Sequence, residues 1–217
     1  MSQTQNRLVW LIAYAVAMAF VESAVVVYLR AIYYADGFEF PLRTMAPAMV
    51  WIEIGREAAT IVMLLAAARL ASKDAWEWFL AFCISFGVWD VFYYLWLLVF
   101  IQWPPSLLTW DVLFLIPLPW VAPVLAPLIV SAALIIGALW LWRLKSLGVR
   151  LRVSRGVWAL AVTGGAIVLL SFVGDSAVVL QAQQPSPFRW GLFGAGVGAG
   201  SAALLLGVRR LQRSRRE

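Results

Sequence analysis

A chain of 217 residues, 64% of them hydrophobic and 13% charged, is not an ordinary soluble domain, where roughly a quarter of the residues carry charge. It has no histidine and one cysteine, which excludes imidazole-ligated haem, histidine-based zinc, imidazole proton shuttles and an internal disulfide. The formal charge of +6 does not point to nucleic acid, because the basic residues stand at the ends of apolar runs and in the tail, where anionic lipid headgroups are the nearer partner.

Apolar runs of about 20 residues cross a hydrocarbon layer of about 30 Å, and the chain repeats them from end to end. The expected fold is all-α: one integral membrane domain, a polytopic helical bundle of about six transmembrane helices. The first run, residues 8–29, exceeds the apolar stretch of about 7–15 residues found in signal peptides and contains Glu22, so it reads as a retained helix. The second covers 46–70 and the third 76–102, stopped by Pro104 and Pro105, since proline removes a donor that a helix interior needs. Residues 106–116 are apolar but too short to span, and read as an interfacial or re-entrant segment, either a lid over an outward cavity or a stiff cap. The fourth run, 120–142, carries Pro123 and Pro127 in its first turns; the fifth is 156–180. The sixth, 188–208, holds two GxxxG pairs, Gly194/Gly198 and Gly196/Gly200, expected to serve packing within the chain ahead of a homo-oligomer. A basic tail, 209–217, follows.

Orientation follows from the excess of arginine and lysine on cytoplasmic loops. With the N-terminus in the cytoplasm, Arg7, Arg69, Lys73, the basic residues of 143–155 and those of the tail fall inside, thirteen of the seventeen. Arg30, Arg43 and Arg189 fall outside and Arg56 lies within a span. An odd number of spans destroys this asymmetry, so both termini are placed in the cytoplasm and the protein in the plasma (cell inner) membrane.

The informative residues are acids within the apolar runs: Glu22 in the first, Glu53 and Glu57 in the second, Asp90 in the third and Asp175 in the fifth, five of the eleven acidic residues. At 1.5 Å per residue they sit roughly 8–18 Å below the outer ends of their helices. An ionised carboxylate there is costly unless it faces a wet or paired interior, and such residues mark functional sites by default. Glu53, Arg56, Glu57 and Thr60 share one helical stripe. The catalytic candidates are therefore Glu22, Glu53, Arg56, Glu57 and Asp90. Around Asp90 the sequence is aromatic, giving Trp89, Tyr93, Tyr94 and Trp96 as ligand-binding candidates, with Trp110 and Asp111 of the short segment able to fold back towards them and Trp51 as a further aromatic.

Glu22, Glu53, Glu57 and Asp90 against Arg56 alone make a net charge that a low-dielectric bundle does not sustain. Either some carboxyls hold protons, or a cation completes the site: a substrate ammonium, sodium, or a divalent metal with oxygen ligands such as magnesium, calcium or manganese. The bland alternative is that Glu53–Arg56 and Arg56–Asp90 pair to lock helices together, with the remaining acids protonated and bonded to serine, threonine or tyrosine. Three functions follow in order of expectation: an enzyme or binding protein for a lipophilic small molecule, with Glu53 or Glu57 as acid, Asp90 as base and Arg56 orienting them; a structural or assembly subunit of a membrane complex; and a proton- or ion-coupled carrier, which the apolar inner halves of the first three runs disfavour. The lipid bilayer is the common partner in all three.

Overall fold

The computed structural model describes the backbone of residues 3–213 and the side chains of residues 6–211; Arg215 and Arg216 of the tail, and the Arg213 side chain, lie outside those limits. The protein is mostly helical, with helices α1 (Gln3–Tyr33), α2 (Pro47–Ala71) and α3 (Ala75–Ile101), strands β1 (Trp110–Phe114) and β2 (Trp120–Pro123), and helices α4 (Leu125–Ser146), α5 (Arg155–Val173), α6 (Ser176–Leu180) and α7 (Trp190–Arg213). Five of its helical stretches are long and apolar enough to cross a membrane: 6–33, 75–101, 125–146, 155–180 and 190–211. The charged stripe of α2 leaves that helix outside this set.

Local chemistry sets the ends. Pro47 opens α2, where its missing N–H costs nothing. Asp74 caps α3 by accepting the Glu77 amide at 3.0 Å, and the Glu77 carboxylate reaches back to the Lys73 amide at 2.8 Å. The Lys145 ammonium joins both acids, at 2.6 Å from Asp74 and 2.8 Å from Glu77, and with the Glu77 amide it holds the Asp74 carboxyl below its ordinary range. The pair ties the end of α4 to the start of α3. Gln102 then turns the chain out of α3 in a left-handed conformation, φ 52°, ahead of the two prolines.

Residues 106–116 differ from an interfacial or re-entrant apolar segment in one respect that matters. They form the first arm of an antiparallel hairpin, β1 on β2, pairing Asp111 with Ala122 and Val112 with Val121, with a bulge before Phe114. Trp120 and Pro123 accordingly belong to a strand and α4 begins five residues later than hydropathy places it, with Pro127 in its first turn. Strand pairing satisfies backbone groups that a short extended piece would otherwise leave open, and Val124 and Leu125 continue it by donating to Thr109 O and Leu107 O at 3.0 and 2.8 Å.

Packing divides by helix. α1 lies along α3 through Ala15, Ala19 and Ser23, all fully buried, with Ser23 Oγ 2.7 Å from Ala19 O and 3.0 Å from Tyr93 O. α2 buries one face, Glu53, Glu57, Thr60, Leu64 and Ala68, a spacing of three or four residues. α5 meets α7 at glycine. A Cβ on Gly164 would stand 2.7 Å from Gly200 N and 2.8 Å from Gly196 O, and one on Gly196 would stand 2.9 Å from Gly164 O. One GxxxG pair thus serves packing within the chain, while Gly194 and Gly198 face open space. Gly164→Val is expected to force these helices apart at a cost of at least about 3 kcal/mol, read as a lowered unfolding temperature of the purified protein, whereas Gly194→Val at an open position leaves it unchanged.

Candidate functional site

The helix ends remote from the Lys145 clamp enclose a cavity of about 150 Å³. α1 lends it Glu22 and Arg30, α2 lends Glu53, Arg56 and Glu57, and α3 lends Trp89, Asp90, Tyr93 and Tyr94. The hairpin closes one side with Asp111, Leu113 and Leu115, and the loop between α1 and α2 covers it with Phe38, Leu42 and Met45. Every catalytic candidate named from sequence borders this one space, with Trp89, Tyr93, Tyr94 and Asp111 from the ligand-binding set. Trp96 instead donates its indole N–H to Val16 O at 3.2 Å and stacks on Phe100. Trp110 packs against Phe40 and Phe188, and Trp51 is exposed. All three stand off the wall, because a tryptophan's position along a helix or strand does not tell which neighbour it meets.

The polar side chains sort into three groups. In the first, the Arg56 guanidinium sits between Glu22 and Glu53, ion-paired to both, with its Nε donating to Glu53 Oε2 at 2.9 Å. Thr60 Oγ1 donates to Glu22 Oε2 at 2.9 Å. α1 is thus joined to α2 through an acid–base–acid triad. The pairing of Arg56 with Asp90 considered from sequence does not occur, since both carboxylates that Arg56 holds belong to α1 and its own helix.

In the second group, Arg30 Nη2 donates to Asp111 Oδ1 at 3.1 Å and Tyr94 Oη donates to Asp111 Oδ2 at 3.2 Å. The guanidinium carbon lies 3.7 Å from the Trp103 ring centre and 4.5 Å from that of Phe38, a cation held between two aromatic faces. Burial pushes the Asp111 carboxyl up to about 6, against the opposite pull of Arg30, the Val112 amide and Tyr94. Arg30 was not among the expected site residues; α1 runs four residues further than hydropathy suggests and carries it inward. A signal was present: Ala15, Ala19 and Ser23 step by four along one face, and that face extends to Val26 or Val27 and on to Arg30.

The third group is chemically open. Glu57 Oε2 accepts the Leu115 amide at 2.8 Å and Asp90 Oδ2 accepts the Ser131 hydroxyl at 2.7 Å. Both acids are buried, and neither makes an ion pair among the described residues. Gly87 lets α4 approach closely enough for Ser131 to reach Asp90: a Cβ there would stand 2.8 Å from Ser131 O. Ser131 had no signal in sequence, being one serine in an apolar run. Beside these acids, Trp89 Nε1 and Arg30 Nη1 are buried donors with no acceptor among the described groups.

Asp175, the remaining acid, stands apart from the cavity. It lies where α5 gives way to α6, accepting the Ser186 amide at 2.8 Å and Arg189 Nη2 at 3.1 Å, and so fastens the chain leading into α7. Among the described residues no three histidine, cysteine, aspartate or glutamate side chains converge as a metal centre requires. Chemically, the cavity offers two ion-paired clusters as walls, Arg30–Asp111 balanced and Glu22–Arg56–Glu53 with two carboxylates to one guanidinium, and two carboxyls outside any ion pair among the described residues, Glu57 and Asp90, that can hold a proton or meet a cation beside aromatic faces. No family model, curated protein or solved structure matches the chain.

Proposed function

We propose that the protein is a plasma-membrane bundle of six spanning helices with both termini in the cytoplasm, and that its cavity binds a lipophilic small molecule with a basic head, as a binding protein or as an enzyme acting on that head. Counting α2 as a span is supported by where its charges lie: Glu53 and Glu57 face inward, while Trp51, Ile52, Val62, Met63 and Leu70 present an apolar exterior. Six spans also keep the arginine-rich ends on one side. The cavity then opens towards the outer leaflet.

The observation that carries the ligand assignment is the pair of buried, unpaired acids at one aromatic-walled space. Glu22 and Glu53 have Arg56, and Asp111 has Arg30; Glu57 and Asp90 have only neutral donors. A protonated amine answers both the charge and the ring faces of Trp89 and Tyr93, and an acid at Glu57 or Asp90 positioned against such a head is the minimum for proton transfer. A coupled carrier is disfavoured because most residues between the cavity and the arginine-rich end, among them Leu11, Ala15, Leu64, Ala68, Leu80 and Ile84, are apolar and buried, with Ser85 a polar exception.

Hexylamine, hexanol and hexanoate, added in turn to the purified protein, distinguish these heads on a common tail. Hexylamine is expected to raise the unfolding temperature, by the equivalent of about 2.7 kcal/mol at a hundredfold excess over its dissociation constant, and to lose that effect in Glu57→Gln/Asp90→Asn. Equal shifts from all three compounds, or an undiminished hexylamine shift in the double variant, refute the assignment. A second reading, an assembly subunit, is favoured by one observation: Gly191, Gly194 and Gly198 form an exposed small-residue face on α7.

A further inference from the structure

A second space, of about 350 Å³, runs between the α3–α4 and α5–α7 pairs, away from the polar cavity. Its wall is almost wholly apolar, with Phe79, Leu134, Leu141, Trp158 and Leu204 among its members, and it falls in the size range of ligand pockets, about 300–1,000 Å³. Gly165 and Gly200 line it, and a Cβ at either would meet nothing within 4 Å, so the crevice is open where those glycines stand.

The crevice reaches the arginine-rich end, where Val153, Val157 and Leu211 are on its wall. Arg152, Arg155 and Arg210 neighbour these residues in the chain, and Arg143, Arg150 and Arg209 lie at the same helix ends. Among the described residues the acids at this end, Asp74 and Glu77, are both taken by Lys145. None of the six arginines has a carboxylate partner among the described residues, and Arg210 Nη1 spends one donor on Ser154 Oγ at 2.6 Å. The Ser154 side chain makes no cap on α5, whose first-turn amides add to the positive rim. A long apolar slot with a cationic mouth unpaired among the described residues, at the level where stacked Trp76 and Trp158 mark an interface, matches one chemistry at both ends.

We propose that this crevice is a site for an anionic phospholipid of the cytoplasmic leaflet, one acyl chain lying between α4 and α5–α7 and the phosphate held by Arg152, Arg155 and Arg210. The assignment rests on the membrane orientation proposed above. It differs from general attraction of lipid to a basic surface in requiring the slot as well as the charge.

The test reconstitutes the full chain in vesicles of phosphatidylcholine and phosphatidylglycerol in equal parts and weighs the lipid that stays bound on release, by native mass spectrometry. The wild type is expected to retain phosphatidylglycerol in preference to phosphatidylcholine. Arg152→Gln/Arg155→Gln/Arg210→Gln lowers that retention at least about tenfold, and Gly165→Leu, which fills the slot without touching the arginines, lowers it as well. Retention of both lipids alike by the wild type overturns the proposal, as does full retention in the arginine variant, which has only surface changes and needs no refolding of the core. Full retention in a folded Gly165→Leu protein places the lipid elsewhere and overturns it too. Failure of the membrane reading is a separate result: alkaline carbonate would then strip the protein from vesicles of either lipid.

Discussion

Replacing Arg56 by methionine is expected to destabilise the protein by about 3–5 kcal/mol, because it leaves the Glu22 and Glu53 carboxylates buried beside each other without a cation. The two acids come from different helices, and among the described residues Arg56 is the one guanidinium paired to both. Thr60 supplies Glu22 with a hydroxyl but no charge. Thermal unfolding in a neutral detergent gives the loss directly. Adding Glu22→Gln and Glu53→Gln to the methionine variant is expected to recover most of it, since amides carry no charge to be compensated and replacing a whole buried ion cluster is often neutral. A triple variant as unstable as the single one would mean that Arg56 acts through packing of its stem.

Arg30→Met is expected to produce a loss of up to about 1.4 kcal/mol at about pH 7, growing by about the same amount for each further pH unit until Asp111 ionises in the variant, a pH dependence that identifies its source. Asp111 already titrates at about 6 because burial opposes its ionisation, well above an ordinary aspartate. Removing the guanidinium removes the chief influence pulling that value down, so it rises further in the variant while the unfolded value stays the same. A raised carboxyl penalises the folded state only where the group is ionised. The difference between wild type and variant is therefore full above the variant's new value, and it shrinks as pH falls, disappearing below about 6 where both folded forms hold the proton. Parallel unfolding temperatures across pH would assign the loss to the aromatic sandwich of Trp103 and Phe38 instead.

The helices were legible because hydrophobic runs and proline stops are properties of the chain alone. The convergence of Glu22, Glu53, Arg56, Glu57 and Asp90 was also legible, since the energetic cost of burying charge leaves one direction for such residues to face. What eluded sequence was pairing across elements. Asp90 meets Ser131 because Gly87 lets two helices close up, and Arg56 meets Glu22 because α1 crosses α2 at that height; neither spacing is written within a single segment. The hairpin was hidden for a related reason. Residues 110–114 and 120–123 look like apolar filler between prolines, and only their mutual hydrogen bonds, with Asp111 turned onto Arg30 and the Leu115 amide onto Glu57, show why an extended segment is stable there. Asp175 shows the converse: an acid inside an apolar run that serves a helix junction and its own arginine.

In the proposed function the acid-lined cavity is reached from the side opposite the arginine-rich ends and receives a basic head. Leu113→Cys, in a chain whose buried Cys83 is replaced by alanine, puts one thiol on the cavity wall. A membrane-impermeant thiol reagent applied to right-side-out and to inverted vesicles then reads both the side of access and the preference for a basic head. Labelling in right-side-out vesicles only, slowed by hexylamine and unaffected by hexanol, is the predicted result; labelling in inverted vesicles, or a rate indifferent to hexylamine, contradicts it.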